Sequence, residues 1–302
     1  MRLRRARRAL IGCALIVTAA CNGTRAVTIA APADPLAALP RGVRTSFVYE
    51  SAGNPPVTVF ATIPPAVSAR SHVVLVMTGI ERNADAYADS WVQWASAHDY
   101  IALTPQFDTA GWRGADGYVM GNMFTPGGEL NPRSRWAFTV VEGIHRRTRA
   151  AFALNDSTFD LWGHSAGGQF VHRMLLFSPD APIRMAIAAN SGWYTVPDST
   201  IDMPYGVRST AMQVTGADLR RWTQAPMVIM RGTADTLRTP PFRTTAAADA
   251  QGLTRFARAA YMMQAARTAD PATRWRMIDV PGVGHDQARM APAGQAALLG
   301  GR

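Results

Sequence analysis

The stretch "FDLWGHSAGGQFVHRML", Phe159 to Leu175, decides how the rest of this chain is read. It opens as an apolar strand, turns sharply through Gly163-His164-Ser165-Ala166-Gly167, and leaves as a helix. A G-x-S-x-G pattern between a strand and a helix is what a nucleophile elbow requires. The turn is so tight that side chains two residues before and after the serine would collide, which accounts for Gly163 and Gly167. The strained backbone of such a serine lifts its hydroxyl above the sheet. Gly168 lets the helix come close to the strand. The same letters also describe an ordinary serine in a glycine-rich loop. A base, an acid and an oxyanion site elsewhere in the chain decide between the two.

Outward from the elbow, strand and helix patterns alternate. "TSFVYES" (45–51) and "VTVFATIP" (57–64) read as a β-hairpin across "AGNPP". "HVVLVMTG" (72–79) is a continuous apolar run, as in a strand buried on both faces. "ADAYADSWVQWASAHD" (84–99) has helical spacing, with Tyr87, Trp91, Trp94 and Ala95 on one face. "YIALTPQF", "TFDLWGHS", "IRMAIAANSG", "PMVIMRGTAD" and "TRWRMIDVPG" follow as strands, separated by stretches of helical length. The expected fold class is α/β: a mostly parallel central sheet with helices on both faces and an N-terminal antiparallel hairpin. Residues 108–132 and 193–224 lack periodicity and each follows a strand. Both should therefore sit at the C-terminal edge of the sheet, where open α/β sheets bind ligands.

Four stretches carry a resemblance: "VVLVMTGIERNADAY", "GHSAGGQFVHRML", "VIMRGTADT" and "VPGVGHD". In this order, over about residues 72–286, the chain resembles the α/β-hydrolase superfamily, and within it secreted bacterial esterases and polyester-depolymerase-like members. The resemblance implies the α/β-hydrolase fold and a Ser-His-Asp triad met in the chain order serine, acid, histidine. Ser165 is the expected nucleophile. Of six histidines, His72 starts a strand and His98 and His145 lie in or near helices. His164 points away from Ser165 by strand alternation, and His172 lies on the helix after the elbow. His285, in "GVGHD" after the last strand, is the expected base. Asp235, directly after a buried strand in "VIMRGTADT", is the expected acid, with Asp198 and Asp202 as competitors and Asp286 too close to His285. The oxyanion site is expected from the backbone N–H groups of Ala166 and Ile80. The family often carries His-Gly before the second donor; here Thr78-Gly79 stands in its place. Trp193, Tyr194 and Trp112 follow strands beside the expected site, and two readings of them stand: they line a pocket, or they pack under the loops.

Bulk properties narrow the alternatives. The chain has 302 residues, 48% of them hydrophobic, enough for one large domain. Its formal net charge is +10, yet it contains no Lys, and five of its arginines fall in the first eight residues. The remaining arginines are scattered, so no nucleic-acid partner is expected. "MRLRRARR" followed by "ALIGCALIVTAA" reads as an export signal over residues 1–20, its apolar run of about 12 residues being too short for a comfortable bilayer span. "TAAC" resembles a bacterial lipoprotein box, which implies lipidation of Cys21; an ordinary secretory signal cut nearby is the other reading. Residues 21–42, rich in Ala, Pro and Gly, read as a flexible tether, leaving 43–302 as the catalytic domain. The only cysteines, Cys13 and Cys21, lie ahead of that domain, so no disulfide or cysteine metal site is expected in it. No cofactor and no metal are expected, and membrane contact only through the lipid. The expected function is hydrolysis of carboxylic esters, small or polymeric, through an acyl-enzyme. An amidase using the same triad and an inactive envelope-binding scaffold are the alternatives. A serine at this position argues against haloalkane chemistry, which in this fold usually uses a carboxylate.

Overall fold

The computed structural model describes residues 34–301. The expected signal, Cys21 and most of the expected tether lie outside the described residues. The end of that tether is fastened to the domain. Pro35–Ala38 form a 3-10 turn capped by Asp34, Leu36 is buried, and Arg147 donates to both Asp34 oxygens at 2.8 and 2.9 Å. Among the described residues, contacts with the domain are thus already made at Asp34, ahead of residue 43.

Eight strands form one sheet: β1 (Arg44–Tyr49), β2 (Val57–Thr62), β3 (His72–Met77), β4 (Tyr100–Gln106), β5 (Phe159–His164), β6 (Ile183–Ala189), β7 (Met227–Gly232) and β8 (Arg276–Val280). Their spatial order is β1-β2-β4-β3-β5-β6-β7-β8. β2 pairs antiparallel with β1 and β4, and every later pairing is parallel. The helices are α1 (Ala84–Asp89), α2 (Val92–Ala97), α3 (Ala137–Ala151), α4 (Ala166–Phe177), α5 (Gly216–Gln224), α6 (Ala246–Asp249), α7 (Arg255–Ala269) and α8 (Gln287–Gly300). Strands β3, β5, β6 and β7 are buried nearly throughout, as their unbroken apolar runs require, and two hydrophobic cores flank the sheet. This is the expected α/β-hydrolase architecture.

Two local expectations fail for tertiary reasons. The helix expected over 84–99 is broken into α1 and α2 at Ser90-Trp91, where Gln295 of α8 donates to the Ser90 carbonyl at 2.9 Å and takes it out of the helical ladder. The stretch 193–224, expected to be irregular throughout, ends in α5. A capping box starts that helix: Thr215 accepts from the Asp218 amide, and Asp218 accepts from the Thr215 amide.

Strand order sets the position of the site. β3 and β5 are neighbours although they are not consecutive, so the chain leaves them in opposite lateral directions. That opens a crevice at their C-terminal ends. The elbow follows β5 and the Thr78-Gly79 turn follows β3, so both face this crevice.

Candidate active site

Ser165 sits between β5 and α4 with φ 58° and ψ −117°, a backbone conformation that side chains rarely adopt. Its amide donates to the Ala189 carbonyl at 2.9 Å, which pins the strained residue to the end of β6. The glycines beside it have no room for a side chain. A Cβ on Gly163 would lie 2.4 Å from the Gly167 backbone, and a Cβ on Gly167 would lie 2.1 Å from the Met77 carbonyl oxygen.

Three of the expected residues come together in one hydrogen-bonded line. His285 Nε2 is 2.9 Å from Ser165 Oγ, and His285 Nδ1 is 2.8 Å from Asp235 Oδ2. An ionised carboxylate accepts from Nδ1–H, which leaves Nε2 as the acceptor for the serine hydroxyl. Asp235 is 2% exposed, held in the turn after β7 by its own amide donating to Gly232. Its second oxygen is 3.4 Å from Arg255 Nη1, itself buried. The competitors lie elsewhere. Asp198 accepts from the Thr200 amide and hydroxyl at 2.7 and 2.6 Å, and Asp202 pairs with Arg208 at 2.6 Å on the surface. Asp286 caps α8, accepting from the Ala288 and Arg289 amides.

A cavity of about 200 Å³ opens over the serine, lined among others by Gly79, Ile80, Glu81, Tyr87, Ser165 and His285. Ile80 and the start of α4 at Ala166 thus meet around Ser165. The first turn of a helix leaves its N–H groups free, and the helix dipole adds positive potential there. Thr78-Gly79 has support that the sequence did not show. Tyr118 donates to the Thr78 carbonyl at 2.9 Å. Arg82 donates to the carbonyls of Phe107 at 2.7 Å and Gly114 at 3.0 Å, with its guanidinium 3.9 Å over the Tyr118 ring. Both anchors tie the turn to the 108–132 segment.

Other expectations need correction. His164 does not point away from the site. Its ring lies 4.6 Å from that of His285 and lines the cavity. Strand alternation fails here because Ser165 has already left strand geometry. Burial holds His164 well below the usual imidazole range, so it stays neutral. His172 is likewise buried and neutral, donating to the Gly168 carbonyl at 3.0 Å and accepting from the Thr195 amide at 3.1 Å. Of the two readings for the aromatic residues, packing holds. Trp112 sits edge-on against Phe107, Tyr194 lies against His172, and Trp193 is held 4.1 Å under the Arg173 guanidinium. All three are buried and none lines the cavity.

Comparison with solved structures gives this geometry its relatives. The poly(aspartic acid) hydrolase-1 of Sphingomonas sp. KT-1 shares 31% identity over 86% of this chain and 100% of its own, with a TM-score of 0.83. A poly(3-hydroxybutyrate) depolymerase from Bordetella parapertussis shares 32% identity over 86% of this chain and 91% of its own, with a TM-score of 0.80. A fluorophosphonate-binding serine hydrolase of Staphylococcus aureus, 14% identical with a TM-score of 0.55 over 87% of this chain and 99% of its own, shares the fold. No family model matches the chain, and no curated protein does. With two relatives above 30% identity matched over nearly their full lengths, an elbow serine after β5 and the strand order described, the chain belongs to the α/β-hydrolase superfamily, among its esterases and depolymerases.

Proposed function

We propose that the protein is a serine hydrolase that cleaves carboxylic esters through an acyl-enzyme, with Ser165 as nucleophile, His285 as general base and Asp235 as the acid that orients it. The observation that carries this reading is the unbroken line from Ser165 Oγ to His285 Nε2, 2.9 Å, and from His285 Nδ1 to Asp235 Oδ2, 2.8 Å, around a serine held at φ 58°. In the reaction, His285 takes the hydroxyl proton as Ser165 attacks the acyl carbon, and Asp235 stabilises the imidazolium that forms. The amides of Ala166 and Ile80 receive the developing oxyanion. His285 then gives its proton to the leaving alcohol, and water repeats the sequence to release the acid.

The cavity is small beside the several hundred Å³ that enclose a drug-sized ligand. It suits a short acyl or hydroxyacyl unit, with the rest of a longer chain lying outside. The Bordetella relative acts on poly(3-hydroxybutyrate), a polymer of such a unit, and this supports a short-chain ester or polyester substrate. The Sphingomonas relative's poly(aspartic acid) keeps a second backbone chemistry open to the same triad. The test is Ser165→Ala assayed on p-nitrophenyl esters of graded length and on poly(3-hydroxybutyrate). Loss of turnover by about a millionfold with the fold intact is expected, with the highest kcat/KM on the shortest chains. Near-normal turnover in the variant refutes the reading. The precursor is further proposed to be exported, cut before Cys21 and lipidated there, on the strength of "TAAC" after the apolar run. Mass spectrometry of the mature N-terminus tests this, and an unmodified terminus downstream of Cys21 rejects it.

A further inference from the structure

Three short segments meet at the cavity, namely the turn after β3 with Gly79, the elbow after β5 and the loop after β8 with His285, while the turn after β7 stands behind them and holds Asp235 against His285. A line of buried polar side chains runs beneath all of them. The Tyr87 hydroxyl lies against Gly79, 2.8 Å from where a Cβ would stand, and 3.1 Å from His164 Nδ1. His164 Nε2 is 3.5 Å from Asn190 Nδ2. The Asn190 amide then joins two segments from below, beyond the end of the strand pairing and beside two bonds on the loops themselves, Ala234 amide to Val283 carbonyl at 3.0 Å and Gly282 amide to Thr233 hydroxyl at 2.9 Å. Its Oδ1 accepts from the Gly232 amide at 2.7 Å, and its Nδ2 donates to the Gly284 carbonyl at 3.0 Å. Gly232 ends β7, three residues before Asp235, and Gly284 directly precedes His285. The last β7–β8 register pair is Gly232 with Val280, so the chain from 281 onward has left the sheet.

Asn190 is itself fixed. It follows β6 at φ 45°, donates its own amide to Met230 at 2.9 Å, and is 1% exposed. Asparagine is one of the few residues that take this backbone conformation readily. Its side chain is also a peptide-like group that donates and accepts at once. The two requirements meet here: an amide bridging the Gly232 N–H and the Gly284 C=O, a carbonyl that also accepts from the Asp286 amide at 3.0 Å. His164 adds a second support. With Nε2 facing the Asn190 donor, its Nδ1 carries the proton toward the Tyr87 oxygen, and the neutral ring lies 4.6 Å from the His285 ring.

We infer that Asn190 is a positioning residue of the active site, clamping the Asp235 turn to the His285 loop while the His164 ring it holds supports His285. This rests on the reading of Ser165, His285 and Asp235 as a triad. A hydrogen bond of 2.8 Å between two residues on separate loops survives only if the loops cannot drift, and misplacement by about 1 Å costs on the order of a hundredfold in rate.

The experiment uses Asn190→Gly, which keeps the backbone conformation accessible and deletes the amide, and Asn190→Asp, which keeps the acceptor for Gly232 but has no donor for Gly284. Ile144→Val, a buried change in α3 away from the site, serves as a stability control. Ester kcat and KM, the rate of fluorophosphonate labelling of Ser165 and the melting temperature are measured for each. Asn190→Gly should lower kcat and labelling by about 30- to 100-fold with KM within about twofold, and Asn190→Asp should fall between it and the wild type. The control should lose melting temperature but no kcat. A kcat for Asn190→Gly within about threefold of wild type overturns the proposal; so does a loss that appears equally in KM or in the control. If Asn190→Gly does not fold, Asn190→Asp decides by the same criteria. A wild-type chain that hydrolyses no ester and does not label at Ser165 overturns the triad reading itself, a result distinct from an active wild type matched by its variants.

Discussion

The elbow can be tested by one methyl group. In Gly167→Ala, the new Cβ would stand 2.1 Å from the Met77 carbonyl oxygen, 2.5 Å from its carbon and 2.8 Å from the Thr78 oxygen, where ordinary contact begins at 3.4 Å. Something must give by about 1.3 Å, and every atom involved is backbone. Met77 cannot swing aside, because it ends β3 in register with Gly163 of β5. Either α4 lifts from the sheet or the Thr78-Gly79 turn moves, and each displaces one side of the proposed oxyanion site. Two effects compete in stability. Alanine within a helix is favoured over glycine by about 1 kcal/mol. Overpacking against fixed backbone costs about 1–3 kcal/mol, occasionally more. The clash should win, lowering the melting temperature by a few degrees, while kcat falls by about a hundredfold because the reacting groups separate by about 1 Å. Gly216→Ala is the control: nothing lies within 4 Å of its Cβ at the start of α5, so it should keep both stability and turnover. Ester turnover and thermal melts of the two variants decide. Wild-type kcat in Gly167→Ala would refute the close approach of α4 to β3 as the basis of the elbow.

Asp235→Asn should lower kcat by about ten-thousandfold by trapping the wrong imidazole tautomer, whereas Asp198→Asn and Asp202→Asn should change it little; the reverse order in ester assays rejects Asp235. Buried His145 is pushed down to about 4, by burial first and Arg149 second, and His164 and His172 are also lowered. The unfolded chain binds these protons near pH 6.5 and the native one does not, so stability is full above that pH and is lost as pH falls toward 4. For His145 that amounts to about 3 kcal/mol, and melts from pH 7 to 4.5 that stay flat count against it. Glu81 is the one carboxylate lining the cavity among the described residues. Glu81→Gln should raise kcat/KM several-fold for an anionic ester such as a p-nitrophenyl hemisuccinate, with the neutral ester unchanged and the gap shrinking in salt. An unaltered ratio between the two esters removes Glu81 from charge selection.

The parts of this molecule that follow local rules were legible in its sequence. Continuous apolar runs gave β3, β5, β6 and β7, and G-x-S-x-G between strand and helix located Ser165. Placement after strands singled out Asp235 and His285, which the structure sets in line with the serine. What escaped depends on contacts distant in sequence. Asn190 falls within "IRMAIAANSG", read only as a strand, and the approach of Gly232 and Gly284 makes it a bridge. Tyr87 reads as one more aromatic on an apolar helix face, although its hydroxyl meets His164. The support of Thr78-Gly79 comes from Arg82 and Tyr118, one beside the turn and the other on a segment without periodicity. A positive φ at Arg82 and Asn190 was the one local trace of these roles, and it is visible only in the backbone.

The two irregular segments at the sheet edge have a part different from the one their position suggested. Segment 108–132 buries Trp112, Tyr118 and Met123, and it receives Arg82 on the carbonyl of Gly114. Segment 193–215 buries Trp193, Tyr194 and Val196, and its Thr195 accepts from the fully buried Arg173 at 2.9 Å. Both are built into the core, and neither contributes a residue to the cavity lining, which comes from the Gly79–Asn83 turn, Tyr87, the elbow, Pro241, His285 and Gln287. On the proposed reading, selection of the acyl unit therefore falls to a few short segments. Where long loops act as rigid backing for the turn that carries the Ile80 amide, changes inside them should act on kcat through that turn before they act on substrate choice. Tyr118→Phe illustrates the point. It removes the bond to the Thr78 carbonyl and keeps the ring under Arg82, so the turn proposed to carry an oxyanion donor loosens while the cavity keeps its shape. A fall in kcat with an unchanged profile of acyl chain lengths is the outcome this arrangement requires. A changed profile with kcat intact would place Tyr118 at the substrate instead.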